Sequence, residues 1–272
     1  MQDLESTVKN FCSENNLRLN TDLGQHFLID NEVLQSIVNA AQLESDDIVI
    51  EIGPGIGILT CELLKHARKV TAIEIDNRMI PLIKKFVDYS LQTTHYSLEI
   101  IQDNALNTPF PSKPYKVVAN IPYHITSPLL RHAFLESKAT PKTMTLLIQR
   151  EVAEKICSKT DSGMLTILVH LFGSPRIITH VPPSSFLPPP KVQSSILHID
   201  CFDEPKAEPK VIEEIFRLTK IAFGKKRKMI SNSIGELDGG MELLEKAGID
   251  PDRRPQTISI DEWKSLAQKS MK

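Results

Sequence analysis

The sequence predicts an α/β fold with a mostly parallel sheet, followed by a small all-helical domain. Short apolar runs alternate with amphipathic helical patterns between residues 47 and 201, which is the order of elements in parallel strand–helix–strand units. After Asp200 the composition shifts, and the segment 203–209, with two prolines and four charged residues, leads into a helical pattern. We therefore predict two domains, residues 1–202 and residues 203–272.

Seven strands and their connecting helices follow from the hydrophobic pattern. The strands are predicted at residues 48–52, 69–75, 98–102, 115–119, 144–148, 165–172 and 196–201. The helices are predicted at residues 58–66, 78–90, 129–135, 149–158 and 211–222, and one more is capped by Asp30 or Asn31. For the helix at 129–135 we expect Thr126 or Ser127 as the cap.

Composition excludes several classes of protein. The chain of 272 residues is 41% hydrophobic and 24% charged, which is ordinary globular composition and not that of disordered or fibrous chains. It shows no apolar leader and no apolar run of about 18 residues, so we expect a soluble cytoplasmic protein without a membrane partner. Four widely spaced cysteines predict reduced thiols and no zinc site, and the net charge of −2 means that any nucleic-acid surface must be a local basic patch.

The first predicted strand runs into a glycine loop. Gly53, Gly55 and Gly57 precede a helix, but the dinucleotide fingerprint requires its third glycine where Ile58 stands. This spacing disfavours a nicotinamide dehydrogenase. The pattern E-x-G-x-G-x-G, beginning at Glu51, suits a class I S-adenosylmethionine fold, in which the loop lies beside the carboxypropyl and ribose parts of the cofactor.

Acidic side chains end the next two strands. Glu74 ends the second strand, where a carboxylate can accept hydrogen bonds from both ribose hydroxyls of a cofactor. Asp103 follows the third strand and can bind the exocyclic amine of adenine, although an Asp-Asn pair also forms ordinary turns. The stretch 23–28, Leu-Gly-Gln-His-Phe-Leu, fits either a lid over a ligand or a loop anchored by its apolar residues, and taken alone it favours the loop.

The tetrapeptide Asn120–Tyr123 follows the fourth strand, at the edge of the sheet where open α/β sheets bind ligands. Asn120 offers one acceptor and two donors, Pro122 restricts the backbone, and Tyr123 offers a ring for stacking. A strand end running into a proline turn explains the same residues, so the tetrapeptide alone leaves both interpretations open.

Two further stretches point to a large ligand. The proline-rich loop 181–192 is stiff and carries Phe186, although crossover linkers are also rich in proline. Four consecutive cations, Lys225, Lys226, Arg227 and Lys228, form a basic patch that suits phosphates, although a charge run is also typical of a solvated face.

Together these stretches resemble the ribosomal RNA adenine N6-dimethyltransferase family, in particular its bacterial small-subunit enzymes, over residues 18–235. The resemblance rests on LGQHFL, EIGPGIGILT, EID, DNAL, NIPY, PPSSFLPPPKVQSS and FGKKRKM, in this order. It implies a Rossmann-like catalytic domain at 1–202, an RNA-binding helical domain at 203–272, and transfer of methyl groups from S-adenosylmethionine without a metal. The implied target is two adjacent adenosines near the 3′ end of 16S rRNA, each dimethylated by a monomer in an immature small subunit.

The resemblance also implies roles for individual residues. The S-adenosylmethionine site would be formed by His26, Leu28, Gly53, Gly55, Glu74, Asp103 and Asn120. The adenine would be held by Asn120, Ile121, Pro122, Tyr123 and Phe186, with the two rings stacking on opposite faces of the base. Two positions depart from the family pattern: His26 stands where Asn is frequent, and Ile121 stands where Leu is frequent. Ile121 keeps the backbone carbonyl, whereas the contact made by His26 is open.

Two other functions share these features. A large-subunit rRNA adenine methyltransferase of the antibiotic-resistance type has the same cofactor motifs, but LGQ and FGKKRKM favour the small-subunit enzyme. A ribosome-assembly factor whose catalysis is secondary would also need the basic patch and the helical domain. A variant that binds RNA but lacks activity would separate the second alternative from the enzyme.

Overall fold

The computed structural model describes residues 3–20, 24–92, 95–224 and 228–271. Its strands are β1 (Phe27–Leu28), β2 (Ile48–Ile52), β3 (Lys69–Glu74), β4 (Leu98–Gln102), β5 (Lys116–Asn120), β6 (Thr143–Gln149), β7 (Gly173–Val181), β8 (Phe186–Leu187) and β9 (Ser194–Cys201). Its helices are α1 (Leu4–Glu14), α2 (Asn31–Ala41), α3 (Ile58–His66), α4 (Ile80–Leu91), α5 (Thr126–Arg131), α6 (Arg150–Cys157), α7 (Met164–Phe172), α8 (Pro209–Gly224), α9 (Gly240–Ala247) and α10 (Ile260–Ser270). Over these residues, no helix is both long and apolar enough to cross a membrane.

Seven of the strands form one mostly parallel sheet, which confirms the predicted fold class. The strand order is β4-β3-β2-β5-β6-β9-β7. Strands β4, β3, β2, β5 and β6 pair in parallel, and β9 runs antiparallel to β6. The chain proceeds outward in one direction from β2 to β4 and in the other from β5 to β6. The crevice at this reversal, beside the carboxyl ends of β2 and β5, is where open sheets of this type bind ligands.

The apolar run predicted as the sixth strand is a helix. Residues 165–172 belong to α7, and the strand follows it as β7. Most α7 side chains are buried, so its sequence is apolar on nearly every face and a periodicity argument cannot separate such a helix from a buried strand. Five of the nine β7 side chains are exposed, which hides the strand from a search for apolar runs.

The chain divides into two compact units that differ from the predicted domains in one segment. The first unit contains residues up to Ala153 together with Arg176–Cys201, and the second contains Glu154–Pro175 and Phe202 onward. The predicted boundary at 202/203 assigned residues 154–175 to the first domain. Two of their hydrogen bonds lie within the second unit: the Ser162 amide donates to the Gln256 carbonyl at 2.8 Å, and the Lys206 amide donates to the Leu171 carbonyl at 2.9 Å.

Two helices, α2 and α5, begin close to the segments that form the site. Asp30 caps α2, and one of its carboxylate oxygens accepts hydrogen bonds from the amides of Glu32 and Val33 at 3.0 and 3.2 Å. The predicted caps of the helix after the tetrapeptide were wrong. α5 already begins at Thr126, after a 3-10 turn over Tyr123–Ile125, and the residue before it is the aliphatic Ile125, which cannot cap.

Candidate active site

A cleft in the first unit opens at the crevice where the strand order reverses. All seven residues predicted for the cofactor line it: His26, Leu28, Gly53, Gly55, Glu74, Asp103 and Asn120. They come from the segment before α2, the loop after β2 and the ends of β3, β4 and β5. The parallel strands bring the last five of these residues together because the carboxyl ends of the strands meet at one edge of the sheet.

The glycine loop needs its small residues. Gly53 and Gly55 have φ values of 66° and 60°, in the left-handed region that L side chains rarely adopt. A Cβ atom on Gly55 would lie 2.7 Å from Cε1 of Phe27. The loop therefore packs directly against the segment before α2, and only glycine fits at this contact.

The Glu74 carboxylate is held in place and keeps acceptor capacity. Its side chain is buried, one oxygen accepts the amide of Asp76 at 2.8 Å, and the other accepts the amide of Gly55 at 3.2 Å. A carboxylate has about four lone-pair sites, so each oxygen can accept one more hydrogen bond. This geometry suits a pair of vicinal hydroxyls, as in a ribose. Burial raises the pKa of Glu74, and its two amide donors oppose that effect.

Glu51 is a second buried carboxylate in the cleft, although the predicted site residues omit it. It is 1% exposed and accepts a hydrogen bond from the Thr60 hydroxyl at 2.6 Å. Burial raises the pKa of Glu51 to about 8, the Thr60 hydrogen bond opposes the shift, and the negative charge of Glu74 adds to it. The protein therefore holds a carboxyl group whose pKa is raised to about 8 beside the predicted donor site.

Because the pKa of Glu51 is raised in the folded state, the free energy of unfolding should depend on pH. An acid whose pKa rises on folding binds its proton more tightly in the folded state, so the free energy of unfolding falls as pH rises between 4.5 and about 8. The slope from one group reaches about 1.4 kcal/mol per pH unit. Urea unfolding at pH 5.5 to 8.5 should show a smaller loss of stability for Glu51→Gln than for the wild type. Glu99→Gln, at an exposed position on β4, is the control, and equal slopes for Glu51→Gln and the wild type would contradict the assignment.

Asn120 is oriented by a backbone group. Its side-chain nitrogen donates to the carbonyl of His26 at 3.2 Å, which distinguishes the two ends of the amide. The amide oxygen then faces away from that carbonyl and remains an acceptor. The segment before α2 also touches the tetrapeptide at Gly24, where a Cβ atom would lie 2.7 Å from Cβ of Pro122.

The two predicted stacking rings lie in different environments. Tyr123 is half-buried, its hydroxyl is hydrogen bonded to that of Ser194 at 2.6 Å, and burial raises the pKa of its phenol. Phe186 lies on β8, opposite Leu28 of β1, and is only 3% exposed in the hydrophobic core. Stacking of Phe186 on a base stays a prediction, and the ring has almost no exposed surface in this structure. Ile121 is 2% exposed, so its side chain is also in the core.

Several residues of the cleft are not among the site residues predicted from the sequence. Ile75 is 61% exposed although it is large and apolar, and it lines the cleft between two carboxylates, where it offers an apolar surface to a flat ring. Gln25 donates to Asp76 at 2.7 Å, and the Arg78 guanidinium holds the pKa of Asp76 at about 2. His124 also lines the cleft. Ile75 could have been predicted from its position, because it directly follows Glu74, the predicted ribose-binding carboxylate, at the end of a strand.

The predicted basic patch is described only in part. Lys225, Lys226 and Arg227 lie outside the described residues, and Lys228 is exposed in the second unit. Within the described ranges, no group of three or more His, Cys, Asp or Glu side chains is arranged to hold a metal ion.

A family model and two relatives of this chain all carry names that describe methylation of ribosomal RNA. The model of the family described as ribosomal RNA adenine dimethylase matches residues 16–272. "Ribosomal RNA small subunit methyltransferase A" of Dehalococcoides mccartyi is 40% identical over 97% of this chain and 92% of its own length. The protein of the same name from Alkaliphilus metalliredigens is 38% identical over 97% of this chain and 96% of its own length.

Solved structures agree with these relatives. A dimethyladenosine transferase from Plasmodium falciparum is 30% identical with a TM-score of 0.77, over 90% of this chain and 98% of that one. The 23S rRNA methyltransferase ErmE is 26% identical with a TM-score of 0.73, over 90% of this chain and 100% of that one. The chain therefore belongs to the ribosomal RNA adenine dimethylase family and is an S-adenosylmethionine-dependent methyltransferase.

Proposed function

We propose that the protein methylates the exocyclic N6 of two adjacent adenosines near the 3′ end of 16S rRNA, and that each receives two methyl groups. The substrate is an immature small ribosomal subunit, and the enzyme acts in the cytoplasm as a monomer. The observation that carries the proposal is the orientation of Asn120, whose amide nitrogen is engaged by the His26 carbonyl beside the cleft.

The cleft residues fit the methyl donor. Glu74 would accept both ribose hydroxyls, Asp103 the exocyclic amine of the cofactor's adenine, and the Gly53–Gly55 loop would lie beside the carboxypropyl group. Ile75 would cover one face of that adenine. The Asp103 carboxylate accepts hydrogen bonds from the Asn104 amide at 2.7 Å and the Thr108 hydroxyl at 3.0 Å, and these fixed contacts support the assignment. When bound, S-adenosylmethionine supplies an electrophilic methyl group on a sulfonium.

The target amine requires activation because its lone pair is delocalised into the adenine ring. The Asn120 side-chain oxygen and the Ile121 carbonyl would accept its two hydrogens, so that the lone pair points at the methyl carbon. Transfer then follows from positioning. A general base is unnecessary before transfer because the methylated ammonium is acidic and loses its proton afterwards. One hydrogen remains after the first transfer, which permits a second cycle.

The direct test uses small subunits from cells that lack the gene. Purified protein and labelled S-adenosylmethionine should produce N6,N6-dimethyladenosine at two adjacent positions, located by primer extension or mass spectrometry of 16S rRNA fragments. Large subunits serve as the competing substrate. Methylation of 23S rRNA alone would overturn the proposal, as would binding to small subunits without any methyl transfer, which is the outcome expected of an assembly factor.

The basic patch at 225–228 should contribute to RNA affinity through counterion release. Replacing Lys225, Lys226, Arg227 and Lys228 by Gln should weaken binding to small-subunit rRNA and reduce the slope of log K against log salt by about 0.7 to 0.9 for each phosphate that is no longer neutralised. Filter binding between about 50 and 200 mM salt measures this slope. S-adenosylmethionine affinity is the control and should not change. An unchanged salt slope would exclude the patch from the interface.

A further inference from the structure

Ser194, the first residue of β9, lies at the same edge of the sheet as the tetrapeptide. Asn120 ends β5 and lies opposite Leu147 of β6. Gln149 ends β6 and lies opposite Ser194. Because β9 runs antiparallel to β6, its first residue lies where the parallel strands end. The strand that follows the proline-rich loop therefore places a serine at the candidate active site.

The side chain of Tyr123 is anchored at its far end by this serine. The two hydroxyl oxygens lie 2.6 Å apart and share a hydrogen bond. Ser194 is 0% exposed, whereas Tyr123 is half-buried. A buried hydroxyl needs a hydrogen-bond partner, and Tyr123 supplies it. The phenol hydroxyl of Tyr123 is therefore fixed to a residue of the protein interior.

The backbone at Ser194 is itself held on both sides. β9 pairs with β6 from Ser194 to Asp200. On the other side, the Arg150 amide donates to the Gln193 carbonyl at 2.9 Å, and the Arg150 guanidinium donates to the side-chain oxygen of Gln193 at 2.7 Å. The Ser194 hydroxyl thus has a fixed position relative to the sheet edge that carries Asn120.

The hydrogen bond to Ser194 fixes one torsion angle of Tyr123 and leaves the other free. The phenol oxygen lies on the Cβ–Cγ axis, about which χ2 turns the ring, so χ1 alone moves this oxygen relative to the backbone. Without the bond, χ1 can occupy the other staggered wells. With the bond, the long axis of the ring keeps one direction, while the plane of the ring can still turn to lie against a flat ligand.

We propose that Ser194 is a positioning residue that holds the long axis of the Tyr123 ring in the direction needed for stacking on the target adenine. The inference rests on the proposed function and on the predicted stacking of Tyr123. The phenol hydroxyl then contacts the protein, and the ring contacts the base. Loss of the bond lowers the fraction of enzyme molecules with the ring in place, and kcat falls by that fraction.

Two substitutions remove the same hydrogen bond from opposite ends. Ser194→Ala deletes the buried hydroxyl, and Tyr123→Phe deletes the phenol hydroxyl and keeps the ring. Ser195→Ala is the matched control, because Ser195 is also fully buried and its hydroxyl is hydrogen bonded to Nδ1 of His180 at 2.8 Å. Successive side chains of a strand point to opposite faces, so this control leaves the Tyr123 contact intact.

The activity measurement uses saturating small subunits. Ser194→Ala and Tyr123→Phe should each lower kcat about three- to tenfold, the range for one lost hydrogen bond. The double variant should lose no more than either single variant, because all of them lack the same contact. Ser195→Ala should keep the kcat of the wild type. Calorimetry should give Ser194→Ala the wild-type Kd for S-adenosylmethionine, which separates the loss from donor binding.

Nuclear magnetic resonance tests the contact without any activity. The chain has four tyrosines, so labelling of tyrosine Cζ gives four signals, and Tyr123→Phe identifies the signal of Tyr123. Cζ carries the hydroxyl, and its chemical shift responds to the hydrogen bond of that hydroxyl. The Tyr123 signal should move in Ser194→Ala and stay in place in Ser195→Ala.

The possible outcomes separate the hypotheses. Wild-type kcat in Ser194→Ala, or an unmoved Tyr123 signal, would overturn the proposal. A larger loss in Tyr123→Phe than in Ser194→Ala, or a further loss in the double variant, would overturn it by showing that the phenol hydroxyl acts on the substrate. An equal loss in Ser195→Ala would overturn it by showing a general effect of β9. If wild-type protein transferred no methyl group to small subunits, the proposed function would fail, whereas the Cζ signal would still show whether Ser194 holds Tyr123.

Discussion

Asn120→Ala should abolish methyl transfer and leave the methyl donor bound. The substitution removes the only side-chain acceptor proposed for the target amine, and loss of one such oriented group at a reaction centre costs about 10²- to 10³-fold in rate. The expected result in single-turnover assays with small subunits is a loss in this range or greater. S-adenosylmethionine and rRNA affinities should stay within about tenfold, because the oriented amide contributes mainly in the transition state.

Two further variants sharpen this prediction. Asn120→Asp keeps an acceptor but places a carboxylate oxygen against the His26 carbonyl, where the nitrogen now donates, so it should lose activity as well. Asn107→Ala, at an exposed position in the turn after β4, is the control and should remain fully active. Turnover of Asn120→Ala at the rate of the wild type would show that the amine is activated by another group.

Glu74→Ala should weaken S-adenosylmethionine binding by about two to four orders of magnitude. Each hydrogen bond to a charged group is worth roughly 1.5 to 3 kcal/mol, and two bonds to the ribose would be lost. The buried carboxylate also accepts the Gly55 and Asp76 amides, so the variant removes support for the glycine loop. Isothermal titration with S-adenosylmethionine and with S-adenosylhomocysteine measures the effect, and both ligands should lose affinity equally because they share the ribose.

The control for Glu74→Ala is Glu99→Ala on the neighbouring strand β4. Glu99 is exposed and pairs with Lys69 at 2.6 Å, so its loss removes a carboxylate without touching the cleft. The Glu99→Ala variant should bind S-adenosylmethionine with the affinity of the wild type. A Glu74→Ala protein that remains folded by circular dichroism and binds both ligands at wild-type affinity would remove Glu74 from the donor site.

Much of the fold could be predicted because parallel strands have simple sequence patterns. The strand at 48–52, the helix at 58–66 and the strand at 98–102 occur at the predicted residues. Such strands are short apolar runs, and their ends are marked by glycine or by polar residues. The prediction failed at 165–172, where burial on nearly every side removes the helical period. The compact units also differ from the predicted boundary at 202/203, because long-range contacts decide to which unit residues 154–175 belong.

For the site, the groups at the carboxyl ends of the strands could be predicted without the structure: the glycine loop, Glu74, Asp103 and the Asn120–Tyr123 tetrapeptide. Alternation of strand and helix requires a parallel sheet, and a parallel sheet brings those ends to one edge. Three features became visible only in the folded chain: Phe186 lies in the core, burial brings the pKa of Glu51 to about 8, and His26 contacts both Asn120 and Pro188. These features depend on distances and burial between residues up to 162 positions apart, which no local pattern encodes.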